Sequence, residues 1–265
     1  MQPLVLPIED IMAWMGLFVW PFLRIGALLM VAPPFSTSSL PVRVRILASL
    51  LITLMLMPLV PEAPKVDPLS PEAVLIAAQQ IMIGISMGFI LQLVFAVFVN
   101  AGELIALSMG LGFASTVDPQ NGVSVPVVSQ FYTIVVTLLF LTLDGHLMLL
   151  EMLADSFRLL PPAIPVLDPA SPGREVWWQV AGWGATMFEG ALWVALPALT
   201  ALLMTNLGLG VITRAAPQLN IFSIGFPVTM VVGFIMLLLA APIVRPQLER
   251  LLEQGLIVMR QFLGG

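Results

Sequence analysis

The chain has 265 residues, of which 59% are hydrophobic and 9% charged, against about a quarter charged in an ordinary soluble domain. Two charge-free stretches of 30 residues, 73–102 and 215–244, exceed the roughly 20 that carry a helix across a bilayer core, so a soluble globular domain is excluded. Ten scattered basic residues within a net charge of −5 argue against nucleic acid, and the lack of cysteine removes disulfides, thiol catalysis and cysteine metal sites.

Six apolar segments are expected, at about 11–32, 44–60, 73–108, 125–153, 176–207 and 223–244. They imply an all-α membrane protein of about six long apolar helices forming hairpins. Met1-Gln2-Pro3 places no Lys or Arg ahead of the first segment, which reads as mature structure and not as a cleavable signal peptide. Pro33-Pro34 closes that segment, and Pro41, Arg43 and Arg45 open the second. Pro58, Pro61, Pro64, Pro68 and Pro71 mark the next connection, and Pro161, Pro162, Pro165, Pro169 and Pro172 a later one. Five prolines so close cannot be helical, so residues 161–175 read as a linker between parts 1–160 and 176–265. Loop charge gives a conflict: Arg43 and Arg45 favour a cytoplasmic first loop, yet Arg245, Arg250 and Arg260 make the C-terminal tail basic, and six crossings cannot satisfy both. Either one segment fails to cross, or the helices are buried against protein instead of lipid.

In the third segment Gln80, Gly84, Gly88, Gln92, Ala96 and Asn100 recur every four residues, with Glu103 three further on. Such residues share one inclined ridge of a helix, where small side chains admit a second backbone and amides bond across the contact. The ridge serves either packing within one bundle or contact with other subunits. Ionisable groups inside apolar segments cost about 2.5–3.5 kcal/mol each on insertion scales. Glu103, Glu189 and Arg24 are therefore expected to face inward, paired. Asp155 and Arg158, three apart, read as a structural pair at a helix end. His146 is the only histidine, and neither it nor Asp144 completes a metal site. Motifs for a metalloprotease, a phosphate-binding loop or a serine elbow are missing, so neither an enzyme nor a cofactor is expected. The main rival class is a secondary transporter using Glu103 and Glu189.

The stretch from Leu107 to Ser124 contains Met109, Gly110, Leu111, Gly112, Phe113, Asp118, Pro119 and Gly122. It is too apolar for a solvated loop and too rich in glycine for a continuous helix. Irregular backbone at membrane depth is tolerated inside protein or along a water-filled path, so the stretch is either a break between two spans or a re-entrant loop that occludes a pore.

Several motifs in order resemble one known family. They include Trp20-Pro21, Arg24, Gln79-Gln80-Ile81, Gly88-Phe89, Ala101-Gly102-Glu103, Met109-Gly110-Leu111, Val117-Asp118-Pro119 and Gly145-His146-Leu147. The most specific runs from Arg214 through Pro217, Gln218 and Asn220 to Phe222, followed by Ile224-Gly225-Phe226-Pro227. Over nearly its whole length the chain resembles the FliR family of flagellar type III export-gate proteins. That resemblance implies a FliP-like part fused to a FliQ-like part, assembly with several copies of FliP and FliQ and with FlhB, and a place in the bacterial inner membrane at the flagellar basal body. Unfolded flagellar subunits would pass through the gate. The loop 106–124 corresponds to the family's plug, with Met109, Leu111 and Phe113 as an apolar seal and Gly110, Gly112 and Gly122 supplying backbone freedom. Asp118 beside Pro119 would turn the loop, and Arg214, Pro217, Gln218 and Asn220 would form an inter-subunit turn.

Overall fold

A computed structural model describes residues 8–37, 40–60, 64, 66–67, 70–111, 126–162, 173–216 and 221–263. Among the described residues the chain forms seven α-helices and no strand: α1 (Ile8–Val31), α2 (Val42–Leu56), α3 (Pro71–Ser108), α4 (Val127–Thr142), α5 (Gly145–Leu159), α6 (Gly173–Ala215) and α7 (Ile221–Phe262). A 3-10 turn, Met57–Leu59, follows α2. The all-α expectation holds, but several boundaries move.

The fourth apolar segment is two helices. Asp144 takes a left-handed conformation (φ 56°, ψ 24°), one that Asp tolerates better than most residues because of its short polar side chain. It turns α5 by 66° from α4. The last segment does not stop at residue 244: α7 continues to Phe262 through the interior prolines Pro242 and Pro246. Arg245, Arg250 and Arg260 therefore project from a helix and not from a tail, and Arg245 Nε bonds Glu249 Oε1 at 2.9 Å. Among the described residues four helices are long and apolar enough to cross a membrane (Val42–Leu59, Pro71–Ser108, Ala181–Ala215 and Ile224–Phe262), or five if the bent α4–α5 pair makes one span. The apolar run of α1, Gly16–Val31, is shorter.

The described chain divides into two compact units, with α3, α6 and α7 each contributing to both. In the first, made of residues 1–92, 144–183 and 253–265, α1 lies against the first half of α3. A Cβ on Gly84 would stand 2.2 Å from Arg24 O, and one on Gly88 would stand 3.0 Å from Val31 Cβ and 3.1 Å from Ala32 N. Only glycine permits that approach. The contacts advance in the same direction along both helices, so α1 and α3 run parallel, with Trp20, Ala73 and Ile76 forming the next apolar layer. The α2 helix turns Ser49 and Thr53 inward and leaves Leu47, Leu51 and Met55 exposed.

In the second unit, residues 93–143 and 184–252, the rest of α3 is central. Its Gly102 touches the Ser129 backbone of α4 (a Cβ there would stand 2.6 Å from Ser129 Cα), and Phe95 meets Phe140 edge-on at 5.6 Å. This pairing is antiparallel. On another side Asn100 Nδ2 lies 3.6 Å from Met187 Sδ of α6, and Gly190 abuts Val97. The difference in burial is large: 67% of the most apolar window of α3 is buried, against 17% for α6 and 22% for α7. Of the helices long enough to cross a membrane, α3 is the most buried, and α2, α6 and α7 leave apolar side chains exposed.

Candidate functional site

The glycine-rich segment begins where α3 ends, and that end is closed by backbone chemistry. Gly110 has φ +84°, a left-handed conformation open to glycine. Its N–H donates to Leu107 O at 3.1 Å, and the Leu111 N–H donates to Ala106 O at 3.0 Å. This pair of bonds is the Schellman termination, which satisfies two carbonyls that a helix end would leave free. Gly110 thus acts here as a fixed helix cap, whereas the sequence suggested backbone freedom.

Met109, one residue earlier, is fully buried. Its side chain lies across Gly233 of α7, so close that a Cβ there would stand 2.5 Å from Met109 Cγ and 2.6 Å from both Sδ and Cε. The Met109 carbonyl oxygen, past the reach of the helix ladder, is 3.2 Å from the Thr229 hydroxyl; that hydroxyl also lies 3.0 Å from Phe226 O, so its single proton is shared between two acceptors. Phe226 in turn lies 3.3 Å from where a Cβ of Gly110 would be. Phe226, Thr229 and Gly233 share one face of α7, at spacings of three and four. They form a seat for the root of the segment: a ring, a hydroxyl and a gap shaped for a thioether. Met109 is an anchor in this arrangement, not an exposed sealing group, and Leu111 is half-buried. Gly112, Phe113, Asp118, Pro119 and Gly122 lie outside the described residues.

The four-residue ridge is split in its use. Gln80, Gly84 and Gly88 are buried against α1 of the same chain, the bundle alternative. Asn100 is half-buried beside α6, while Gln92 and Glu103 are exposed. Glu103 and Glu189 therefore do not face inward as expected. Arg214, in the last turn of α6, is exposed, and Pro217, Gln218 and Asn220 lie outside the described residues.

Arg24 does face inward, with 0% exposure, but no carboxylate meets it among the described residues. Its Nε donates to Gln80 Oε1 (2.8 Å), one terminal nitrogen to Ser156 O (2.8 Å) and Ser156 Oγ (3.0 Å), and the other to Leu160 O (2.8 Å). The guanidinium also lies 4.4 Å from the centre of the Phe157 ring. Two of these acceptors are carbonyls at the C-terminal end of α5, where the helix dipole favours a cation. Arg24 is the tie joining α1, α3 and α5. Half-buried Asp155 and exposed Arg158 form the expected pair at 3.7 Å. No group of three or more His, Asp or Glu suited to a metal ion occurs among the described residues.

The α7 seat for Met109 was missed by the sequence reading. Its signal is Gly225, Thr229 and Gly233 at four-residue spacing in an apolar helix, the small-residue pattern that admits close helix contact.

Comparison with known proteins agrees with the motif order. The family model for bacterial export proteins, family 1, matches residues 15–255. The flagellar biosynthetic protein FliR of Pectobacterium carotovorum subsp. carotovorum is 42% identical over 247 residues, covering 92% of each chain. That of Escherichia coli K12 is 39% identical, covering 93% of this chain and 92% of its own. FliR of Bacillus subtilis 168 is 27% identical, covering 93% and 94%. With more than nine-tenths of each chain covered and a family match over most of its length, this chain belongs to the bacterial export proteins, family 1, the family of flagellar FliR.

Proposed function

We propose that the chain is a core subunit of the flagellar type III protein export gate, in the bacterial inner membrane at the basal body, where it helps to form and plug the export channel. The observation that carries this reading is the anchored root of the glycine-rich segment, in a chain of an export-protein family. A plug needs a fixed base and a deformable tip. The base is the cap at Gly110 with Met109 held on α7. Leu111 and Phe113 form the apolar seal, Gly112 and Gly122 give it freedom to move, and Asp118-Pro119 turns it back.

FliP and FliQ, in several copies each, and FlhB are the proposed partners, and unfolded flagellar subunits the transported substrates. The FliP-like and FliQ-like parts, 1–160 and 176–265, are proposed to follow the neighbouring subunits' own packing. The outward apolar faces of α2, α6 and α7 favour this, since lipid or neighbouring subunits must cover them. Gln92, Glu103 and Arg214 are exposed and open to such contact, and Pro217, Gln218 and Asn220 are assigned to the same turn between subunits. No step requires catalysis or a cofactor. A solute transporter would need its carboxylates turned into a site, whereas Glu103 and Glu189 are exposed on this chain. Purification from native membranes in mild detergent tests the assembly: the chain is expected in a stable multi-protein complex, and recovery solely as a monomer would count decisively against it.

A further inference from the structure

In the first compact unit, the C-terminal end of α7 lies beside α5 and encloses a cleft of about 580 Å³. That volume is within the range of pockets that admit a small ligand or a few side chains, about 300–1,000 Å³. Its apolar wall includes Met152, which is buried, and Ile257, which is exposed. Around them stand Glu151, Asp155, Glu253 and Arg260. Asp155 has its own partner in Arg158. Glu151, Glu253 and Arg260 make no ion pair among the described residues.

The sequence spacing makes this arrangement unfavourable on its own. Glu151 and Asp155 are four apart on one helix face, where like charges repel by a few tenths of a kcal/mol. Glu151 and Glu253 stand unpaired with Arg260 around a largely apolar hollow containing a soft thioether, and Asp155 is held by Arg158.

We propose that this cleft receives a helical segment of a different protein subunit, carrying one or two Lys or Arg residues beside an apolar side chain. The base lies against Glu151 and Glu253, and the apolar group packs on Met152 and Ile257. Charge decides among occupants. An anionic lipid headgroup would face two unpaired carboxylates. A second copy of this chain in a symmetric contact would set the same acidic rim against itself. A bare cation lacks ligands, since no suitable group of three occurs among the described residues. The inference rests on the assembly reading above only in requiring a partner protein.

A photo-cross-linking amino acid at Ile257, in the full complex taken from native membranes, tests it. The expected adduct is to another protein, at a peptide containing Lys or Arg flanked by apolar residues. Reversing both charges (Glu151→Lys with Glu253→Lys) should lower the adduct at least about tenfold, as like charges across a contact cost several kcal/mol. The milder Glu151→Gln with Glu253→Gln, which preserves shape, should lower it about threefold or more. Arg158→Ala frees Asp155 from its partner at the rim and should not lower it. Co-purification is scored separately. An intact complex with no protein adduct, an adduct to lipid or to a second copy of this chain, or an adduct indifferent to both double variants would overturn the docking proposal while leaving the gate assignment standing. Absence of any complex for the unaltered chain would sink the gate assignment first.

Discussion

Gly233→Ala adds one methyl group where the structure has no room for it. The new carbon would stand 2.5–2.6 Å from three atoms of the Met109 side chain, and van der Waals contact between carbons needs about 3.5–4.0 Å. Backbone at Gly233 cannot retreat without disturbing α7, so Met109 must leave its place. Met109 is wholly buried, and burial of a methionine is worth about 1.5–3 kcal/mol. Overpacking a filled site costs about 1–3 kcal/mol by itself. A loss of about 2–3 kcal/mol follows, since expelling the side chain and straining around it are alternatives and do not add in full. Met109→Ala alone should cost about 2–5 kcal/mol through the cavity it leaves. Combining the two removes every clashing atom, so the double variant should be more stable than the sum of the singles by at least about 1 kcal/mol. Thermal inactivation of the purified complex, read as the fraction remaining assembled after heating, gives the three values. Additivity within about 0.5 kcal/mol would refute the claim that Met109 rests on Gly233. The same variants should raise the ion leak of the assembled channel, because the root of the plug has been displaced.

Three other expectations follow from the same geometry. Gly110→Ala forces a side chain into a left-handed conformation and against Phe226; it should destabilise by about 1–2 kcal/mol, read by the same heating assay. Thr229→Val keeps the shape but leaves the Met109 carbonyl without its hydroxyl, which should cost about 1–3 kcal/mol and leave the effect of Arg24 substitutions unchanged. Arg24→Met strands the acceptors of Gln80, Ser156 and Leu160 and should cost about 1–3 kcal/mol for each one left without another donor. Arg24→Lys keeps the charge but loses the planar fork that reaches three helices, so it should be intermediate, and equal stability of both variants to the parent would contradict the tie.

Composition made the helical membrane class legible, since 30 residues without charge leave a chain few other options. The Asp-Gly pair at 144–145 was a turn signal inside an apolar run, yet hydropathy ran straight through it. The last apolar segment reads as ending at 244 because Arg245 closes the charge-free run, not because of Pro242 or Pro246. A proline costs an isolated helix about 3 kcal/mol, but tertiary packing keeps α7 continuous past both. The ridge from Gln80 to Glu103 is divided in the structure, with Gln92 and Glu103 exposed, a split that four-residue spacing does not show. Gly84 and Gly88 are used up by α1, a fact set by residues 60 positions away. Arg24 was read as needing an acidic partner, because periodicity shows charges and cannot show backbone carbonyls at the end of another helix. Met109 and Gly110 were flagged by their place in a glycine-rich run. Their partners Phe226, Thr229 and Gly233 lie more than 110 residues along the chain, where no local pattern links them.

The central claim is that a segment rooted on α7 closes the export channel. Ion conductance of the assembled complex in a lipid bilayer, with and without residues 110–122, tests it most directly. The account predicts that the parent complex is closed and that the deleted complex, assembled to the same extent, conducts ions. A deleted complex that assembles fully and stays as closed as its parent would contradict it.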